Sequence, residues 1–435
     1  MVNTRAITLK LLKKIHVDKS YSNILLDKTL SEIDCSAQEK KFISALFYGV
    51  IERMITLDAV INKYSKVKTK KLDVDVLLIL RIGFYQLLYM DSVPDSAAVN
   101  ECVKLAKKCR NPSLSGFVNG VLRSFIRNDK QLPTGNTKTE KLSVKYSCPE
   151  WLIDKWLGEY GEETTVSMLE SSLGKAPVTI RINTLKMPAK DIITVLESDG
   201  YVVEEAFLEN CYKISGGVSV DSSKAYQLGL FYVQDISSQL CSLSLDANEG
   251  ETVIDVCAAP GGKTFTTAIK MNNRGNVFSF DLHENRVKLI EDGAERLGLT
   301  NVSARQNDAM IFNSELPLAD RVLCDVPCSG LGVIRRKPEI KYKNSDDFKK
   351  LTEIQYSILE TSAKYLKSGG ILIYSTCTLS KAENEDIVNR FLKEHSEFTG
   401  VSINPDIERL SDWCATIIPE YFDSDGFFIA KLKRD

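Results

Sequence analysis

The stretch "DVCAAPGGKT", residues 255–264, follows a short apolar run, "ETVI" (251–254), and leads into a segment with helical character. Strand, glycine-rich turn and helix in that order leave backbone amides free at a helix start. The glycines let a ligand come close to the main chain. Spacing removes two common readings. A phosphate-binding loop ending in Gly262-Lys263-Thr264 needs glycine at 257, where the chain has cysteine. The G-x-G-x-x-G pattern of dinucleotide sites is absent. A plain structural turn remains, as does a nucleoside pocket without a phosphate clamp.

Further along, the pattern repeats. "GNVFSFD" (275–281), "NVSARQND" (301–308), "ADRVLCD" (319–325) and "GGILIYSTC" (369–377) are short apolar or alternating runs separated by helical stretches. This alternation predicts an α/β fold with a parallel sheet covered by helices on both faces, a Rossmann-like arrangement. Ligands in such sheets sit beyond the carboxyl ends of the strands. Asp281 ends the second run and could accept both ribose hydroxyls of a nucleoside. Asp308 ends the third and could bond an adenine amino group. Taken singly, each acid also reads as a helix cap or a solvated turn. Together with the glycine loop they suit S-adenosylmethionine.

Two runs end near cysteine, in "DVPCSG" (325–330) and "YSTCTLS" (374–380). Cys328 and Cys377 could be a redox pair, a metal site or two halves of one catalytic device. The chain has eleven cysteines, an odd number without framework spacing, which favours free thiols in a reducing compartment. Only three histidines are present, His16, His283 and His395, and none lies near another or near a cysteine pair. A metal site therefore has poor support, and none is expected. Cys257 and Cys324 lie inside strand runs and also read as packing residues. His283 reads as a surface residue.

The front of the chain is different. Ile7, Leu11 and Ile15 recur every four residues, and Phe42, Ile43, Leu46, Phe47 and Val50 form a wide apolar stripe. "VLLILRIGFYQLLYM" (76–90) is apolar nearly all round. With Asp75 and Arg81 interrupting it, the run from Val74 reads as a buried helix rather than a membrane span. Helices are also expected from Asp95 to Lys108 and over "SGFVNGVLRSFIRN" (115–128), with a polar linker over 128–143. Residues 1–150 carry 25 Lys and Arg against 15 Asp and Glu, whereas the remainder carries 31 against 43. The net charge of −2 hides this asymmetry. A basic front suggests contact with a polyanion, although a solvated basic helical surface gives the same count.

Between these parts, two helices (148–161 and 162–173), a strand in "APVTIRINTL", a helix in "PAKDIITVLESDG" and strands in "YVVEEAF" and "CYKI" form an α+β segment. The expected domains are therefore 1–135, all-α; 145–235, a small ferredoxin-like α+β subdomain; and 236–435, the α/β domain. The N-terminal "MVNTRAITLKLLKK" lacks an apolar signal core, so a cytoplasmic protein without a membrane partner is expected.

"DVCAAPGGKT", "DVPCSG" and "YSTCTLSKAENE" together closely resemble the motifs of the Nop2/Sun (Fmu) family of RNA cytosine-5 methyltransferases. "FYVQDISSQL" (231–240) and "GVIRRKPEIK" (332–341) extend the match. "ALFYGVIERMITLD" (45–58) and "GFVNGVLR" (116–123) resemble the NusB-like RNA-binding domain joined to bacterial members. The resemblance covers essentially the whole chain. It implies a class I methyltransferase domain using S-adenosylmethionine, held by Cys257, Ala258, Ala259, Pro260, Gly261, Gly262 and Lys263 with Asp281, Asp308 and Asp325. Cys377 would be the nucleophile, Cys328 its accessory in product release, and Asp325 a further catalytic group. One departure is Lys337, where the family often has histidine. The implied partner is 16S rRNA before or during small-subunit assembly, bound by a monomer. Transfer RNA or another RNA, and a noncatalytic RNA-binding role, are the alternatives.

The chemistry accounts for these residue types. Carbon 5 of cytosine is a poor nucleophile until a thiolate adds to carbon 6, and a free cysteine thiol with a pKa of about 8.5 needs help to ionise. A carboxyl group such as Asp325 can bond the amino group and ring nitrogen 3 as the adduct forms. The base must leave its stack to reach the pocket. A second thiol, Cys328, could assist release of the adduct. Arg335, Arg336 and Lys337, close behind "DVPCSG" in sequence, could hold RNA phosphate.

Overall fold

In a computed structural model the chain is described over residues 3–18, 22–109, 111–343, 348 and 350–435. It divides into two units, Met1–Gly174 with Ile334–Lys343, and Lys175–Val333 with Asn344–Asp435.

The first unit is helical. Asp73 accepts a hydrogen bond from Asp75 N and starts helix Val74–Tyr89, eleven residues of which are buried. One of these is Arg81, whose guanidinium makes two 2.7 Å bonds to Asp58. That bidentate pairing lets a cation sit in an apolar helix. Around it stand Thr4–Asp18, Ala37–Glu52, Asp95–Lys107 and Leu114–Arg127, where periodicity placed them. Ser22–Glu32 and Met54–Tyr64 are further helices of the unit. Among the described residues, no helix is long and apolar enough to cross a membrane.

Two features differ from expectation. The linker becomes helical at its end, because Thr137 and Glu140 form a capping box that starts Lys138–Tyr146. Ile334–Lys343 belongs to the helical unit rather than to the unit that carries Cys328 and Cys377. Lys341 Nζ donates to Glu52 O at 2.8 Å, Tyr342 OH donates to Ile51 O at 2.8 Å, and Ser22 N donates to Glu339 Oε1 at 3.2 Å. Arg335, Arg336 and Lys337 are accordingly half-buried rather than a fully solvated charge run.

The second unit holds two sheets. Strands β1 (Val178–Ile182), β2 (Tyr201–Glu205), β3 (Cys211–Gly216) and β4 (Phe231–Val233) pair antiparallel in the order β2-β3-β1-β4. Ile192 and Leu196 of helix Ala189–Ser198 pack on Ile180 and Ile182.

The larger sheet contains β5 (Thr252–Asp255), β6 (Asn276–Asp281), β7 (Val302–Gln306), β8 (Ala319–Asp325), β9 (Leu366–Thr376), β10 (Phe398–Gly400), β11 (Cys414–Ile417) and β12 (Phe427–Arg434). Its order is β10-β12-β9-β8-β5-β6-β7, with β11 also on β12. The strands from β9 to β7 are parallel, and β12 runs antiparallel beside β9. Side chains alternate between two cores. Val253, Leu323 and Ile373 enter one, while Ile254, Val322 and Leu372 enter the other. Burial on both faces explains why these strands read as unbroken apolar runs. From β5 the chain passes to β6 on one side and later returns to β8 on the other. The crevice at the carboxyl ends therefore opens beside β5.

Candidate active site

The loop after β5 is tied to both neighbouring strands. Val256 N donates to Leu323 O at 3.1 Å, and Ala258 N donates to Phe280 O at 2.7 Å. Gly261 closes the turn through a 2.8 Å bond to Ala258 O, with φ of 111°. That left-handed backbone suits glycine, and a Cβ there would come within 2.3 Å of the Phe265 ring. Helix Gly262–Lys270 begins at once. Below the loop, Asp255 is buried and accepts from Thr264 Oγ1 at 2.8 Å. Burial pushes its pKa up to about 7, against the partial relief of the threonine bond.

Asp281 is the last residue of β6, and Asp308 stands two residues beyond β7. Asp281 is buried, accepts from His283 N at 3.2 Å and lies 3.3 Å from Arg286. Arg286 also donates to Ala259 O at 3.0 Å, linking this acid to the glycine loop. Asp308 is half-buried and accepts from Met310 N at 3.0 Å, so it also closes a local turn. Leu282, Met310 and Ile311, adjacent to these acids in the chain, present exposed apolar side chains. His283 is exposed.

Asp325 has partners that the sequence did not announce. Lys263 Nζ donates to Asp325 Oδ2 at 2.6 Å, and Ser375 Oγ donates to Asp325 Oδ1 at 2.9 Å. Burial alone would lower the Lys263 pKa, but the Asp325 carboxylate holds it above its ordinary value. The Phe427 ring lies 5.1 Å from the ammonium. Lys263 is thus a tie between the glycine loop and the end of β8.

The two cysteine turns follow neighbouring parallel strands, in a register that pairs Asp325 with Ser375. Cys328 Sγ and Cys377 Sγ are 3.3 Å apart. The Cys328 thiol is held well above its usual pKa, first by its bond to Cys377 and then by burial. Either sulfur can donate to the other across this contact. Cys324 is buried, and burial pushes it up to about 12. Cys257 is also pushed well up by burial. These two thiols are poor nucleophiles where they stand.

Behind the turns lie Gln355, Glu383 and Asn384, all buried and hydrogen-bonded to residues flanking the cysteines. The "KAENE" run (381–385), directly after "YSTCTLS", was the available signal. Nothing in its spacing says which backbone atoms its side chains reach.

Comparison with known proteins agrees with this architecture. The model described as 16S rRNA methyltransferase RsmB/F matches residues 242–433. The NusB family model matches 2–127, and a ferredoxin-like domain of RsmF/B-like methyltransferases matches 148–221. A probable ribosomal RNA small subunit methyltransferase B of Bacillus subtilis is 37% identical over 99% of this chain and 99% of its own. A protein of the same description from Synechocystis is 34% identical over all of both chains. Among solved structures, PH0851 superposes with a TM-score of 0.81 at 27% identity, over 100% of this chain and 99% of its own. A methyltransferase homologue from Pyrococcus horikoshii gives 0.60 at 27% identity, over 69% of this chain and 100% of its own. With full-length relatives at this identity, the chain belongs to the ribosomal RNA small subunit methyltransferase B family and is an rRNA methyltransferase.

Proposed function

We propose that the protein transfers a methyl group from S-adenosylmethionine to carbon 5 of a specific cytidine in 16S rRNA, through a covalent bond from Cys377 to the base. The observation that carries this reading is the 3.3 Å contact between the Cys328 and Cys377 sulfurs, on turns that follow neighbouring parallel strands. The residues fit the cofactor. A turn that only glycine adopts without strain, a helix start and two strand-end acids beside exposed Leu282, Met310 and Ile311 offer amides, carboxylates and an apolar shelf to one nucleoside. The loop Cys257–Lys263, Asp281 and Asp308 would hold it, with Asp325 at the side facing the base. When bound, the cofactor supplies an electrophilic methyl group.

The chain's own residues do the rest. As a thiolate, Cys377 adds to carbon 6 of the flipped base, which makes carbon 5 nucleophilic. Asp325 accepts from the amino group, and from ring nitrogen 3 once that nitrogen has taken up a proton from solvent as the adduct forms. Its partner Lys263 places positive charge where the ring gains electron density. After transfer, carbon 5 gives up its proton to solvent and the carbon–sulfur bond breaks. The Cys328 S–H meets the sulfur as it departs. Arg335, Arg336, Lys337 and the basic surface of 1–135 would contact RNA phosphates, with a cytoplasmic monomer acting before or during small-subunit assembly.

The test is tritium release from RNA carrying [5-³H]cytidine, incubated with folded protein and S-adenosylmethionine. Release that requires both cofactor and Cys377 is expected; its absence removes the reading. Bisulfite mapping of 16S rRNA from cells lacking the protein should show one lost 5-methylcytidine. An unchanged pattern removes the 16S assignment.

A further inference from the structure

Each cysteine of the pair is gripped on both sides, and the grips share one buried hub. Around Cys328, Gln355 Nε2 donates to Pro327 O at 3.0 Å. On the other side, Ser329 N donates to Glu383 Oε2 at 2.8 Å and Ser329 Oγ to Glu383 Oε1 at 2.6 Å. Around Cys377, Thr376 Oγ1 donates to Asn384 Oδ1 at 2.6 Å, and Asn384 Nδ2 donates to Thr378 O at 3.0 Å. The two grips are joined. Gln355 Nε2 also donates to Glu383 Oε2 at 3.0 Å, and the Ser329 and Thr378 hydroxyls are 2.6 Å apart. From below, Tyr374 OH donates to Glu383 O at 2.7 Å. Gln355, Thr376, Thr378 and Asn384 are fully enclosed, and Glu383 is 2% exposed.

The local chain cannot supply this order by itself. Both turns extend beyond the last ladder bonds of β8 and β9, so regular sheet pairing no longer fixes them. A reacting sulfur must nevertheless be placed to within a fraction of an ångström. A carboxylate accepts through two oxygens at once, and a primary amide both accepts and donates. Those capacities match what the two turns present: an N–H with a hydroxyl on one side, and a hydroxyl with a carbonyl on the other.

We propose that the Glu383–Asn384 pair is the positioning device of the thiol pair, setting the approach of Cys377 to the base and the distance of Cys328 from it. The inference rests on the assignment of Cys377 as nucleophile and Cys328 as release group. Glu383 and Asn384 act through the cysteines and do not touch the substrate. Negative charge on Glu383 also favours the protonated form of Cys328, so the acid adds an electrostatic effect to its geometric one.

Glu383→Gln separates the two effects. The Gln carbonyl can still accept from Ser329 N and Gln355, and its NH₂ can donate to the two hydroxyls, so position is kept while charge is lost. Single-turnover methylation of a 16S fragment is measured for Glu383→Ala, Glu383→Gln, Asn384→Ala and Thr376→Val in the full-length protein. Misplacing the sulfurs predicts a drop of about 100-fold in the methyl-transfer rate for Glu383→Ala and Asn384→Ala, with KM for both substrates within about threefold of the parent. Glu383→Gln should recover most of that rate, and release of the covalent RNA complex, followed on a denaturing gel, should begin to fail at a lower pH than in the parent because Cys328 loses its proton more readily. Thr376→Val, nearly isosteric, removes the bond to Asn384 and the 3.4 Å bond from Thr378 N without emptying the hub, and serves if the alanine variants do not fold. Wild-type rates in Thr376→Val and the alanine variants overturn the proposal, as does a loss in Glu383→Gln as deep as in Glu383→Ala. Cys377→Ala and Cys328→Ala are run alongside. If Cys377→Ala still methylates, it is the assignment of the nucleophile that has failed, whatever the hub variants do.

Discussion

Lys263 Nζ lies 2.6 Å from Asp325 Oδ2 and joins the glycine loop after β5 to the end of β8. The two strands are neighbours in the sheet, and the ion pair continues their pairing past the last ladder bond. The loop proposed to hold the cofactor and the acid proposed to hold the base are therefore one electrostatic unit. This gives the lysine of the loop a partner within the protein: its charge answers Asp325. Ser375 donates to the other carboxylate oxygen and extends the same unit to β9, two residues before Cys377.

Removing both members should cost less than the two single losses added together. Lys263→Met leaves Asp325 without its cation, and Asp325→Asn leaves a largely buried ammonium. Each single change is expected to destabilise the second unit by about 2 kcal/mol, less than for a fully enclosed pair because 26% of the Asp325 side chain meets solvent. The double variant should recover about 1 kcal/mol of the summed loss. Urea melts of the four proteins measure this coupling, and strict additivity would show that the pair contributes nothing. Methyl transfer should be lost with Asp325 in either background.

The cysteine pair gives an asymmetric prediction. Cys377→Ala should abolish both methylation and the covalent RNA complex. Cys328→Ala should keep the first chemical steps and accumulate protein bound to RNA, because the departing sulfur has lost the thiol 3.3 Å away. A denaturing gel with labelled RNA and cofactor shows the difference. Trapping with Cys377→Ala and none with Cys328→Ala would reverse the two roles.

Gly332 is a point of close backbone approach. Its N–H donates to Cys377 O at 3.0 Å and its carbonyl accepts from Gly426 N at 2.9 Å. A Cβ at this position would meet Gly426 O at 2.0 Å and Cys377 O at 2.8 Å, both backbone atoms that cannot rotate away. Gly332→Ala should therefore displace the chain at Cys377. Overpacking of this kind costs about 1–3 kcal/mol of stability. A shift of the nucleophile should slow methyl transfer about 100-fold. Wild-type kinetics in this variant would mean that the turn tolerates movement its contacts do not suggest.

Strand ends were legible in the sequence because both faces of the sheet are buried. Continuous apolar runs closing on Asp281, Asp325 and Cys377 mark where a chain leaves the core for solvent. The glycine loop was legible for a related reason, since close approach restricts residue type at Gly261. The Lys263–Asp325 tie and the Glu383–Asn384 hub were not, because each joins side chains to partners on other strands or turns through register that no local pattern records. Strands β10, β11 and β12 also escaped notice. Cys414–Ile417 and Phe398–Gly400 are short, and both pair with Phe427–Arg434 rather than with the parallel core. The placement of Ile334–Lys343 in the helical unit rests on Lys341, Tyr342 and Glu339 reaching residues near 22 and 52, a long-range choice that charge alone did not betray.

Asp255 makes stability depend on pH in a direction opposite to that of a salt-bridged acid. Burial raises its folded-state pKa to about 7, from an unperturbed value of 3.8. Between those values the folded protein holds a proton that the unfolded chain has lost, so the contribution is complete below the lower value and declines as pH rises through the upper one. Urea midpoints of the second unit should fall between pH 5 and pH 8 by more in the parent than in Asp255→Asn. The Asn side chain can still accept from Thr264 Oγ1 and carries no charge to bury. The difference between the two proteins should therefore grow with pH in favour of the variant. Parallel pH profiles would show that Asp255 stays ionised in the fold and that a further donor, beyond Thr264, stabilises its charge.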